Sequence, residues 1–185
     1  LGAPVITATR LRKGNIDSGH GAARLIGDTL ATLRRATSPG VVIVRADSAY
    51  FRHDVVAAAT AGGARFSVTA RMNKAVVRAI AGIAEDAWAT IKYPHAVWEE
   101  DEQRWISDAE VAEVPFVAFT GRRQAQHVGC RPIVRRVRRI QPLACDGSIQ
   151  GELFAAYRHH AFITNTSCGI VQADQLHRDH AIVEQ

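Results

Sequence analysis

The 185-residue chain has little cysteine, and its three thiols, Cys130, Cys145 and Cys168, form no C-x-x-C pair. An odd count without paired spacing excludes a disulfide scaffold and points to a reducing cytoplasm. No apolar run approaches the roughly 20 residues that a membrane helix needs, and no basic-then-apolar leader opens the chain. A glycine-rich phosphate loop, internal repeats and low-complexity tracts are missing too. What is there is enough apolar material for a core: 47% apolar residues against 22% charged excludes wholesale disorder. The start at Leu1 and the stop at Gln185, inside a helical pattern, lead us to expect a fragment. A net charge of +5 suggests a polyanionic partner only weakly.

The first half alternates strand and helix patterns. Residues 4–11 (PVITATRL) are rich in β-branched side chains and predict a strand. Ser18 is placed to cap a helix with the stripe Ala22, Leu25, Ile26, Leu30 and Leu33. Val41–Val44 is apolar on both faces, as a strand covered on each side must be. Asp54 is expected to cap a short helix, Val55–Ala61, that Gly62-Gly63 ends. Residues 65–71 predict a strand and Ala75–Ile83 a helix, an α/β layout. After residue 86 come short strand-like stretches: WATIKY, AVWEE, QRWIS, VPFVAFT, PIVRRVRRI and FAAYRHHAFIT. Ile170–Gln185 returns to a helical pattern. We therefore divide the chain into a core (1–86), a β-rich insertion (87–168) and a closing helix (169–185).

Two carboxylates stand out. Asp47 follows an apolar strand in VVIVRADSAY, where open α/β sheets bind ligands, and a carboxylate there suits a hard divalent cation. The plainer alternative is that Asp47 caps the next turn or pairs with Arg45 or Arg52. Glu184, in HRDHAIVEQ, shares a helical face with His177, His180 and Ala181. That face is a solvated surface, a carboxylate site, or less plausibly a transition-metal site built from His177, His180 and Glu184. The triplet His177-Arg178-Asp179 matches a kinase catalytic loop by accident, because Glu184 stands where asparagine is needed.

Charge is segregated. Residues 99–113 carry net −6, and residues 121–140 carry seven arginines and no acid. On a strand, Arg135 and Arg139 share one face and Arg136 and Arg138 the other. Such a strand either contacts phosphate on a free face or pairs with a neighbouring acidic strand. Trp88, Trp98 and Trp105 read as packing more readily than as base-stacking platforms. Tyr157-Arg158-His159-His160 reads as a basic surface patch, and the cysteines as small apolar residues.

Taken in order, LRKGNIDSGHGA, VVIVRADSAYFRHDVVAAATAGGARFSVTARM, WEEDEQRWISDAEVAEVPF and HRDHAIVEQ resemble a bacterial insertion-sequence transposase. The resemblance is to the DDE type with a β-strand insertion, as found in actinobacterial mobile elements, and covers essentially the whole chain. It implies a ribonuclease-H-like α/β fold, a mixed sheet flanked by helices with a β-rich insertion before the last catalytic helix. It implies DNA cleavage at element ends and strand transfer, with two Mg2+ ions (or Mn2+ as substitute) held by three carboxylates. Asp47 corresponds to the second carboxylate and Glu184 to the third, 137 residues later, a gap that the insertion explains. Arg135, Arg136, Arg138, Arg139 and Arg178 would be DNA contacts. The partners implied are transposon-end and target DNA and a second copy of the chain, in the bacterial cytoplasm at the nucleoid.

The chain departs from that pattern in one serious respect. The first catalytic Asp belongs to a strand upstream of the LRKGN segment, and Asp17 does not match it. The basic residues that follow the family's Glu are also missing. This chain alone is therefore expected to be inactive. The alternatives are a non-catalytic DNA-binding remnant of a mobile element and a structure-specific nuclease on the same fold.

Overall fold

A computed structural model describes residues 5–11, 13–36, 40–94, 96–101, 103–138 and 157–179. The chain is α/β: a mixed sheet of parallel and antiparallel strands with helices on both faces. In chain order the elements are α1 (Ala22–Ala36), β1 (Ile43–Ala46), α2 (His53–Ala61), β2 (Arg65–Thr69) and α3 (Lys74–Ala81). There follow β3 (Ala89–Thr90), β4 (Val97–Glu99), β5 (Arg104–Ile106), β6 (Ala109–Glu113), β7 (Phe116–Ala118), β8 (Val128–Arg138), β9 (Tyr157–Thr164) and α4 (Ile170–Arg178). The sheet order is β1-β2-β9-β8-β6-β3, with β7 on β8, while β4 and β5 form a separate hairpin. Among the described strands only β1 and β2 run parallel, joined through α2. Strands from the stretch read as an insertion thus continue the same sheet, since β9 pairs antiparallel with β2.

Alternation along the strands sorts side chains between two cores. Phe66 and Val68 of β2 and Ile163 of β9 pack with Val56 and Ala59 of α2. Val134 and Ala161 pack with Val76 and Ile80 of α3 on the same side. Ile133 and Phe162, directly opposite across β8 and β9, face Ala173 of α4 on the other side. These side chains are buried, and each of the valines, isoleucines and phenylalanines among them contributes about 1.5–3 kcal/mol. The helix ends follow local chemistry. Asn73 caps α3 by accepting from the amides of Ala75 and Val76. Gly62 closes α2, and Gly63 takes φ +66°, a conformation that side chains disfavour.

Several expectations shift. Residues 5–11 form no strand and lie exposed: β-branched composition favours a strand only where a neighbour supplies the ladder. The first helix starts at Ala22 rather than after Ser18, though Ala22 and Leu30 of its stripe are buried as expected. Val41 is exposed, and the strand occupies Ile43–Ala46 instead, two residues nearer Asp47. Asp54 lies in the first turn of α2 and bonds Arg52 rather than capping the helix. The strand β6, unexpected because Glu110 and Glu113 mask its alternation, sits inside the sheet between β8 and β3. No helix among the described residues is long and apolar enough to cross a membrane.

Candidate functional site

Asp47 ends β1 and begins a 3-10 turn, Ser48–Tyr50. Its Oδ1 accepts from the Ala49 amide at 2.7 Å, so the capping alternative holds for one oxygen. The carboxylate is exposed and makes no ion pair among the described residues. Two arginines of neighbouring segments, Arg52 and Arg71, are turned elsewhere. Arg52 donates to Asp17 Oδ2 at 2.6 Å and to Asp54 Oδ1 at 3.0 Å. Arg71, just past the end of β2, donates from Nε to Ser48 O at 2.9 Å and from Nη2 to Ala49 O at 3.1 Å. That bridge ties the carboxyl ends of the two parallel strands together. It fixes the turn beside Asp47 while leaving Oδ2 without a partner among the described residues.

Such a carboxylate, exposed and free of guanidinium, is the donor type that a hard divalent cation takes. Glu184 and His180 lie outside the described residues, as do Arg139 and Cys145. Among the described residues, no group of three or more His, Cys, Asp or Glu is gathered for a metal.

Over its described residues α4 crosses the sheet. Ile170 packs with Ala109 and Val111 of β6, and Ala173 with Ile133 and Phe162. His177 lies against β2, its Nδ1 2.8 Å from Ser67 Oγ and its Nε2 3.1 Å from Thr69 Oγ1. The imidazole stacks flat on Phe162, with ring centroids 4.0 Å apart. Both ring nitrogens are thus engaged by hydroxyls, which removes His177 from the transition-metal alternative.

The arginine strand pairs with the acidic strand β6 at Arg131 and Arg136, whereas Arg135 pairs with α4. Arg135 faces α4 and donates from Nη1 to Asp174 Oδ1 at 2.7 Å. Arg136 faces the opposite side, donating from Nε to Glu110 Oε2 at 2.6 Å and from Nη1 to Glu85 Oε2 at 2.8 Å. Its guanidinium lies between Trp88 and Tyr157, 4.3 and 4.5 Å from their ring centroids. Trp88 is therefore a packing residue, as read. Arg131 forms a third such pair with Glu113 at 2.6 Å. Arg178 donates from Nε to Asp174 Oδ2 at 2.8 Å and from Nη2 to Gln175 Oε1 at 2.6 Å. Arg138 is exposed at the end of β8. Of the expected DNA contacts, Arg135, Arg136 and Arg178 are held in internal ion pairs.

Sequence reasoning passed over Asp174, which is wholly buried and grips two arginines. Its i, i+4 spacing to Arg178 was the only local signal, because Arg135 lies 39 residues away. The histidines of β9 are no free patch either. Burial pushes His159 and His160 below the ordinary imidazole value, helped by Arg136 for His159 and by Arg135 and Arg158 for His160. Burial also pushes the Cys130 thiol up to about 11, which suits an inert packing residue. The chain matches no protein-family model and no curated protein.

Proposed function

We propose that this chain is part of a DDE transposase on a ribonuclease-H-like fold, with Asp47 and Glu184 as metal-holding carboxylates. The supporting observation is the placement of Asp47. It stands at the carboxyl end of β1, in the parallel β1-α2-β2 unit, exposed and without a cationic partner among the described residues. In open α/β sheets that end of the strand is where ligands bind. α4 adds to this, because it crosses the sheet from β6 to β2, the neighbour of β1. When bound, a pair of Mg2+ ions, or Mn2+ in their place, supplies activation of the attacking oxygen and stabilisation of the leaving one. The chain's own part is to hold the carboxylate still. The Ala49 amide fixes Oδ1, and Arg71 clamps the carbonyls of Ser48 and Ala49. The substrates are element-end and target DNA, engaged by two copies of the protein at the bacterial nucleoid.

The experiment is DNA cleavage by the full-length protein, with Mg2+ and DNA carrying the ends of its element. Asp47→Ala and Glu184→Ala should each abolish cleavage while leaving DNA binding largely intact. Unchanged cleavage in either variant removes that residue from the metal site. Joined products identify a transposase, hydrolysis alone identifies a nuclease, and binding without either identifies a non-catalytic remnant.

A further inference from the structure

The turn that opens at Asp47 closes at Phe51, and Phe51 forms one wall of a cleft of about 400 Å³. Phe116, Val117 and Phe119 line it from β7 and the residue after it, and Asn73 and Lys74 from the start of α3. The rings of Phe51 and Phe119 sit 5.2 Å apart at 41°. His53 meets Phe119 edge-on, with centroids 6.0 Å apart. Phe119 holds φ +63°, a conformation that a bulky side chain seldom adopts and one that concentrates at binding sites.

The rim is basic. Lys74 lines the cleft, and Arg122 and Arg123 directly follow the lining residues Thr120 and Gly121 in sequence. All three are exposed and have no ion-pair partner among the described residues. None of the residues lining the cleft is acidic.

An aromatic floor with a cationic rim is complementary to a planar, uncharged ring tethered to an anionic group. The volume falls in the range of pockets that enclose one small ligand. We propose that this cleft holds one unpaired nucleotide of a DNA strand, its base against Phe51 and Phe119 and its phosphate at Lys74. The choice of DNA as the occupant rests on the transposase reading. The cleft, unlike Arg131, Arg135 and Arg136 of β8, supplies cations that no internal acid has already neutralised.

The test is fluorescence anisotropy of a labelled eight-residue oligothymidylate with the 185-residue chain. Phe119→Ala should weaken binding about 10-fold or more, the usual effect of losing one stacking platform. Lys74→Gln, at an exposed position, should lower the slope of log affinity against log salt by about 0.7, one single-strand phosphate contact. If Phe119→Ala unfolds, Phe119→Leu retains bulk, and it should still weaken binding several-fold. Variants that bind like the wild type overturn the cleft assignment and leave the DNA reading standing. Failure of the wild-type chain to bind the oligonucleotide overturns both. Free thymidine monophosphate binding as tightly as the oligonucleotide overturns the choice of a DNA strand as occupant.

Discussion

The Nη1 of Arg135 lies 2.7 Å from Oδ1 of Asp174, a carboxylate with no solvent exposure. The other oxygen, Oδ2, holds Arg178 at 2.8 Å, so one buried acid fastens α4 to β8 and to its own last turn. Removing it leaves the Arg135 guanidinium, whose side chain is 13% exposed, without its counter-charge. Asp174→Ala should therefore destabilise the chain by about 3–5 kcal/mol in urea denaturation. The double variant Arg135→Met, Asp174→Leu should recover most of that loss, because apolar replacements remove both charges together. A single-variant loss below about 1 kcal/mol would contradict a structural role for this pair.

Arginines that are paired and arginines that are free should separate in two assays. Arg136 is committed to Glu85, Glu110 and two aromatic rings. Arg136→Gln should lower the thermal midpoint and leave the salt dependence of DNA binding unchanged. Arg122→Gln with Arg123→Gln should do the reverse, flattening the salt slope by about one unit per lost phosphate contact. Salt dependence that follows Arg136 instead would make β8 the DNA surface.

The histidines of β9 predict a pH dependence of stability. His159 and His160 are held below their ordinary value of 6.5. The unfolded chain then takes up these protons before the folded one does. Their contribution is fully present above about pH 6.5, and it is lost as pH falls below that value toward the lower folded-state values. Thermal midpoints measured from pH 7.5 to 5 should fall accordingly. His159→Asn with His160→Asn should flatten the profile, and an unaltered profile would show that these histidines do not set the pH dependence.

Gly63 supplies a backbone test. It sits at φ +66° at the end of α2, where Arg34 crosses to donate to the carbonyl of Gly62. A Cβ at Gly63 would run into Arg34 Nη2. The guanidinium can swing away, so the cost is chiefly the left-handed backbone. Gly63→Ala should destabilise by about 1 kcal/mol or more in chemical denaturation. A neutral or stabilising effect would mean that the α2–β2 connection does not need this conformation.

Local patterns carried the first half of the fold into view. The stripe of α1, the stop at Gly62-Gly63 and strand β2 are each written within a few neighbouring residues. The continuation of the sheet from β2 to β9 was not, because Ser67 and Thr164 meet across 97 positions of sequence. Strand β6 was hidden for an electrostatic reason. Glu110 looks like a surface residue until Arg136, opposite it on β8, supplies the charge that lets it sit half-buried. The site divides in the same way. Asp47 was legible from its place after an apolar strand, whereas the cleft at Phe51 and Phe119 was not. Those two residues come from distant segments, and only the folded sheet brings their rings together.

The proposed role of Asp47 as a metal ligand is tested by paramagnetic NMR of the 185-residue chain titrated with Mn2+. The amide signals of Asp47, Ser48 and Ala49 should broaden before all others, and Asp47→Ala should abolish that local effect. Broadening that is absent from this turn, or that persists unchanged in Asp47→Ala, would contradict it.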